Sequence, residues 1–221
     1  MALAKRLLQF YRCHQYIYIY IICRSKLKYR NFSLVSSDCL GGVILHDLGC
    51  PFLTPTINLF FASTAGFIRF VNNIELYKSS GILTEIKTTA QYPCGKLSSS
   101  AGEVVINFMH YKTFEGAATA WYRRMARLDV KKILVIDALV NPTENDIALY
   151  KTIVFPKLII VPEKFADNAD FVTLKHYEKL MHHYHPGKIL EFPHFYSIKR
   201  WYYDAPIIDF INKQCSNYPL P

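Results

Sequence analysis

The sequence predicts an α/β fold: three layers, with a mostly parallel sheet flanked by helices. Short apolar runs alternate with helical segments beyond residue 30, the order expected of strand–helix units. The runs at 32–35, 56–61, 104–109, 133–136 and 158–161 are continuous, as in strands covered on both faces. With 51% hydrophobic residues, 16 Tyr and 15 Phe among 221, the chain can fill a large core and is a poor candidate for disorder.

The elements follow in order. Residues 2–13 read as a basic helix with Leu3, Leu7, Leu8, Phe10 and Tyr11 on its apolar side. Residues 16–21 alternate Tyr and Ile with period two, and helix and strand both remain open there. The first thirty residues hold seven basic side chains and no acid, leaving +2 of the formal +9 for the rest. The reading is a basic aromatic arm over 1–30 and a single α/β domain over 31–221. A near-neutral body argues against a broad nucleic-acid surface. The arm suits an anionic membrane surface, or it packs on its own domain. The apolar stretch at 16–22 is too short to span a bilayer and lacks a cleavage site after it. The expected location is therefore cytoplasmic, peripheral at the inner face of the membrane.

The run 32–35 leads into Ser36-Ser37-Asp38-Cys39-Leu40-Gly41-Gly42. The two glycines predict a turn, and residues 43–48 a helix closed by Gly49 and followed by Pro51. Ser63 caps a helix running to Tyr77, with Phe67, Ile68, Val71 and Ile74 on its inner face. Thr113 caps another ending at Arg127. Asn141 is the expected cap of the next, with Pro142 first and Glu144 third. Helices over 174–182 and 206–214 complete the pattern.

A thiol where a strand turns into a helix meets unpaired N–H groups and a positive dipole end, which lower its pKa. Cys39 is thus a candidate nucleophile with Asp38 beside it; the competing reading is a half-buried cysteine in an ordinary glycine turn. His110 closes the run 104–109, placed to act as a general base. Trp121, Arg124 and Arg127 recur every third residue on one helix, where Arg grips an anion and Trp stacks. Half core and half solvated surface is the alternative. Five of eight histidines fall in 176–194, but their spacing lacks converging ligands, so no metal is expected. The six cysteines show no CxxC spacing. No GxSxG, GxxxxGK[ST] or GxGxxG motif occurs, and no Asp-x-Asp or hexapeptide repeat either.

Taken in order, these pieces resemble an uncharacterised bacterial exopolysaccharide-biosynthesis protein family, a domain of unknown function with a Ser-x-(Asn/Asp)-Cys-x-Gly-Gly motif. The resemblance rests on Ser36 to Gly42, Gly49, Thr54-Pro55-Thr56, Leu59-Phe60 and Phe67-Ile68-Arg69-Phe70 with Asn73 and Tyr77. Tyr92-Pro93, His110-Tyr111 and the Trp121, Arg124, Arg127 helix follow, so that roughly 31–135 is covered. It implies a three-layer α/β fold and an association with capsule, lipopolysaccharide or exopolysaccharide synthesis. Asp38 stands where that pattern commonly has asparagine.

The expected function is a transferase modifying a sugar, with acyl transfer favoured. Cys39 would be nucleophile, or with Gly41 and Gly42 part of an anion hole. His110 would be base, and Trp121, Arg124 and Arg127 would hold a phosphorylated donor such as acyl-CoA. No tightly bound cofactor is expected; the partners are a saccharide acceptor and a membrane surface or polysaccharide synthesis complex. A glycosyltransferase without Asp-x-Asp and a non-catalytic assembly protein are the alternatives.

Overall fold

In the computed structural model the described residues are 10, 13–167, 169–175, 177, 189–194 and 196–217. The chain is α/β, with a parallel four-stranded sheet, a separate antiparallel sheet of four strands, and flanking helices.

Most of the basic helix expected over 2–13 lies outside the described residues; beyond it the arm is helical, π-wound over Ile17–Cys23 and continuing through Arg24–Lys26. Its Tyr/Ile alternation was ambiguous because every fourth residue shares one face in a helix and in a strand alike. Ile19, Cys23 and Leu27, four apart, are the buried ones. Arg24 donates through Nε to the Asp47 carbonyl (2.8 Å), and Arg30 through Nη1 to the Leu48 carbonyl (2.6 Å). These cations satisfy the open carbonyls of a helix C-terminus. The second half of the arm therefore packs on the domain.

Strand β1 (Ser33–Val35) leads into α1 (Leu40–Leu48), which ends on Gly49 at φ 66°, as anticipated. Then come β2 (Phe60–Phe61), α2 (Thr64–Asn72), α3 (Ile74–Ser80), β3 (Ile82–Ile86), β4 (Cys94–Ser99) and β5 (Gly102–Asn107). The second half holds α4 (Phe114–Arg127), β6 (Ile133–Ala138), α5 (Glu144–Lys151), β7 (Lys157–Ile160), β8 (Phe171–Val172) and α6 (Ile207–Cys215). The parallel sheet runs β1-β6-β7-β8 and the antiparallel one β2-β5-β4-β3.

The parallel sheet is apolar on both sides, which explains its continuous sequence runs. Leu34, Leu134, Ile136, Leu158 and Ile160 join a core with Ile44 and Leu48 of α1, Ile211 of α6, and Cys23 and Leu27 of the arm. Val35, Ile133, Val135 and Ile159 join a second core with Phe67 and Phe70 of α2, Trp121 of α4 and Tyr150 of α5. Leu97, Val104 and Ile106 of the antiparallel sheet close that second core.

Two runs pair differently from the expectation. Of the run 104–109, residues 104–107 belong to β5, antiparallel to β4 with Ser99 opposite Gly102. A connection that tight makes a hairpin and cannot make a parallel crossover. Gly102 supplies the turn at φ 110°. Val104 and Ile106 are buried while Val105 faces outward, the alternation of a half-covered strand. Of the run 56–61 only Phe60–Phe61 pairs, also antiparallel.

The helix expected from Ser63 to Tyr77 breaks at Asn73, whose Nδ2 donates to the Arg69 carbonyl (2.9 Å), a side chain competing with the backbone ladder. At α5 the cap is Thr143 rather than Asn141. Thr143 and Asp146 form a reciprocal capping box, and Asn141 takes a left-handed turn at φ 48°. Most of the expected helix over 174–182 lies outside the described residues.

Candidate functional site

Where β1 ends, Ser36 through Cys39 run past the edge of the sheet into α1. Ser36 is fully buried; its Oγ donates to the Ile136 carbonyl and its N–H to Thr56 Oγ1 (3.3 Å). That locks the end of β1 to β6. A Cβ on Gly41 would lie 2.9 Å from Ser36 Oγ, and one on Gly42 3.3 Å from Ile57 Cδ1. Helix α1 begins at Leu40, with Cys39 as its N-cap. Gly41 and Gly42 thus sit within the first turn of the helix, where they allow close packing, instead of forming a loop ahead of it. The Leu40 N–H is taken by Asp38 Oδ1 at 2.8 Å. The donor-cradle role expected of the glycines gives way to packing, and part of the helix end is already capped by a carboxylate.

The neighbouring strand β6 delivers Asp137 to the same edge. Asp137 is fully buried. Its Oδ1 accepts from Ser37 Oγ (3.0 Å) and the Ala138 N–H (3.0 Å). Its Oδ2 accepts from the Ser37 N–H (3.0 Å) and from Tyr150 O–H (2.6 Å). Four donors and no salt bridge to a cation among the described residues surround this carboxylate. Burial raises the Asp137 pKa, and its hydrogen bonds oppose that rise. Burial and the Asp137 charge also push the Tyr150 hydroxyl well above its ordinary value, so Tyr150 stays a donor.

Asp38 faces this group across the sheet edge. Its pKa is pushed up to about 7, first by burial and then by repulsion from Asp137, with the Leu40 N–H opposing. One carboxylate is thereby held by donors while its neighbour exchanges a proton near neutrality.

Both aspartate-bearing segments open onto a cavity of about 800 Å³. Asp38, Cys39, Tyr150 and Asp146 line it along one side, with His110 at the turn after β5. Its apolar walls include Phe60, Phe61, Met109, Leu139 and Val140. Asp146 is engaged with Thr143, which with Thr64 holds its carboxyl below the usual range. The cavity lies beyond the carboxyl ends of β1 and β6, the place where parallel α/β sheets bind ligands. Adjacent Asp38 and Cys39 thus share one cleft with His110, some seventy residues further along the chain. His110 reaches it from an antiparallel hairpin rather than from a parallel strand end.

The expected lowering of the Cys39 pKa is reversed. Burial, and secondarily the Asp38 charge, push the thiol up to about 11 against a smaller opposing contribution from the Leu59 backbone, and the thiol donates to the Leu59 carbonyl (3.8 Å). The helix dipole acts through its first turn only, and burial, joined by the neighbouring carboxylate, works against it. Cys39 is a neutral thiol at rest.

The Trp121, Arg124, Arg127 stripe does not line the cleft. Trp121 is buried, its ring centroid 5.6 Å from Phe70 and 6.4 Å from Phe108. Arg124 Nη1 donates to Tyr111 Oη (2.5 Å) and to the Ile57 carbonyl (3.3 Å). Arg127 is exposed. The three-residue spacing placed them on one helix face, and that face turned out to span core, strut and solvent. His176, His182, His183 and His185 lie outside the described residues, and His194 stacks on Tyr196 at 4.9 Å. Among the described residues no group of three His, Cys, Asp or Glu could hold a metal ion, and no helix is long and apolar enough to cross a membrane.

Sequence reasoning passed over Asp137, Tyr150 and Ser37. A signal for the first was present: Asp137 directly follows the apolar run 133–136, and an acid ending a buried parallel strand points into the ligand-binding edge. Tyr150 carries no such mark, because its place on α5 reads as core spacing.

Similarity to other proteins places the chain further. A stretch of 143 residues is 33% identical to an uncharacterized protein of Haemophilus influenzae, covering 63% of this chain and 65% of that relative, slightly under two thirds of its length. The family model described as Domain of unknown function (DUF1919) matches residues 11–215, which includes both cores and every residue of the cleft named above. The chain therefore belongs to the DUF1919 family.

Proposed function

We propose that the chain is a cytoplasmic transferase of capsule, lipopolysaccharide or exopolysaccharide synthesis that acylates a saccharide hydroxyl, with Asp38 as general base. One observation carries this reading. Asp38, poised near pH 7 beside the buried Asp137, opens onto a cleft whose lining holds no Lys or Arg among the described residues. A base with a pKa close to the working pH is the most effective kind. The polysaccharide context rests on the resemblance of Ser36 to Gly42.

In this mechanism the acceptor hydroxyl gives its proton to Asp38 as its oxygen attacks the carbonyl of a thioester donor of the acyl-CoA kind. The tetrahedral intermediate collapses with cleavage of the C–S bond. The departing thiolate takes the proton back from Asp38, and the carboxylate is restored. His110 offers a second proton carrier at the rim. Tyr150, Ser37 and the Ala138 N–H hold Asp137 in place, and Asp137 keeps Asp38 basic. Cys39 forms part of the wall, since a neutral thiol near pH 7 is a weak nucleophile.

Acyl transfer is favoured over glycosyl transfer by the lining. Phe60, Phe61, Met109, Leu139 and Val140 suit an acyl chain, for which a nucleotide sugar has no counterpart. Thermal shift of the full chain with acetyl-CoA and with a nucleotide sugar tests this, because a specific ligand stabilises the native state by mass action. Stabilisation by acetyl-CoA alone is expected. Stabilisation by the nucleotide sugar alone would transfer the cleft to glycosyl chemistry, and no response to either would favour an assembly role.

A further inference from the structure

The arm has two faces, and only one of them is accounted for by the fold. Ile19, Cys23 and Leu27 point into the domain, but Tyr16, Ile17, Ile21 and Ile22 are 55%, 49%, 61% and 40% exposed. With Phe10 they make five of the thirteen large apolar side chains that stand exposed among the described residues, gathered within thirteen positions. Scattered exposed apolar groups are ordinary, whereas a gathered patch marks an interaction surface. Tyr16 stacks on Tyr20 (centroids 5.0 Å apart) and Arg24 lies over the Tyr20 ring (4.1 Å). Aromatic rings of this amphipathic kind favour the boundary between water and hydrocarbon.

Charge identifies the occupant. The first thirty residues carry seven cations and no acid. Arg24 and Arg30 are committed to backbone carbonyls of the domain, while Lys26 and Lys28 are exposed, within six residues of Ile22 in the chain. We propose that the outer face of the arm is a docking surface for an anionic lipid bilayer, with Ile17, Ile21 and Ile22 entering the interface and Lys26 and Lys28 meeting the headgroups. A second copy of the chain fits less well. A two-fold contact through this face would bring two acid-free basic arms together. Five side chains also offer a few hundred Å² at most, short of the ~800 Å² per partner of a stable complex. An amphipathic helix lying in the interface needs no such area, because apolar insertion and attraction to anionic lipid act together.

Sedimentation of the full chain with vesicles of phosphatidylcholine, with and without phosphatidylserine, tests the proposal. Binding is expected to the anionic vesicles, weakening as salt rises. Ile17→Ser with Ile21→Ser should weaken it at least about tenfold. Lys26→Gln with Lys28→Gln should weaken it about tenfold and flatten its salt dependence. All four positions are exposed, so the melting temperature of these variants should be unchanged. Equal binding to neutral vesicles, or no vesicle binding by the unaltered chain, would overturn the proposal. So would a melting temperature lowered by the Ile pair, which would make the face part of the fold. Loss of a dimer on size-exclusion chromatography in the Ile pair, without loss of vesicle binding, would assign the face to a second copy instead.

Discussion

The two ends of α1 each carry a buried aspartate environment, and they solve the problem of a charge out of water in opposite ways. Asp47, near the C-terminus of the helix, is 1% exposed and meets Arg200 Nε at 2.8 Å, with the Tyr202 hydroxyl on the same oxygen. At the other end, roughly 13 Å away along a nine-residue helix, Asp38 and Asp137 face each other with hydrogen-bond donors but no paired cation among the described residues. A neutralised buried charge is architecture: it ties α1 to the chain around residue 200. An unneutralised carboxylate pair opening onto a cavity has a structural cost with no structural return, and such arrangements gather where proton transfer is needed. The comparison separates the two roles without reference to sequence family.

The largest effect that distinguishes the two ends is on activity. Asp38→Asn removes the proposed base and keeps the acceptor for the Leu40 N–H, so the fold should persist. Thiol release from acetyl-CoA in the presence of a saccharide acceptor should fall about 10²- to 10⁴-fold. A variant with the full rate would reduce the carboxylate pair to a strained packing element.

Stability should respond in the opposite pattern. Arg200→Met leaves Asp47 buried without its cation and should cost about 3–5 kcal/mol in urea unfolding. Asp38→Asn should be neutral or stabilising under the same conditions, because it relieves repulsion from Asp137. If both variants lost stability alike, the distinction between the two ends would fail.

How much of this was legible beforehand follows the range of the forces involved. The parallel strands and α1 announced themselves through local apolar runs and the Gly49 cap, signals set by neighbours in sequence. Cys39, Asp38 and His110 were found by applying strand-end geometry, and they do share a cleft. The antiparallel sheet was misread because the β4–β5 hairpin shows itself only in the alternation Val104, Val105, Ile106, a weaker sign than the apolar content. The chemistry of the site was the least legible part. Whether Cys39 is acidified by a helix end or suppressed depends first on tertiary burial and then on residues about 100 positions apart in the chain, since Asp137 repels charge on Asp38 and Asp38 repels charge on the thiol. Trp121 likewise carried no mark to say which side of α4 meets Phe70.

The carboxylate pair should also leave a pH signature. The folded pKa of Asp38, about 7, lies above its ordinary value of 3.8. Between these values the native state binds more protons than the unfolded chain, so this group's contribution to stability falls as pH rises through that window. The penalty is absent below about pH 4 and complete above about pH 7. Its size is on the order of 4 kcal/mol, at about 1.4 kcal/mol for each pH unit of the shift. The stability of Asp38→Asn relative to the unaltered protein should therefore improve progressively from pH 4 to pH 7.5. A difference that stays flat across that range would show that Asp38 ionises normally and would remove its claim to be the base.

The smallest expected effect sharpens the comparison most, because it separates the thiol from the carboxylate. With the Cys39 thiol pushed up to about 11, about one molecule in a thousand carries the thiolate at pH 8. Iodoacetamide at that pH should label exposed Cys13 well before Cys39. Cys39→Ser should keep acyl transfer within about tenfold of the unaltered rate, since a wall residue contributes packing rather than bond formation. The Asp38 charge predicts a coupling: Asp38→Asn removes the repulsion on the thiolate, so Cys39 should alkylate several times faster in that variant although its transfer activity is lost. Rapid labelling of Cys39 near pH 7 in the unaltered protein, together with abolished transfer in Cys39→Ser, would return the nucleophile to the thiol and leave Asp38 as the group that takes its proton.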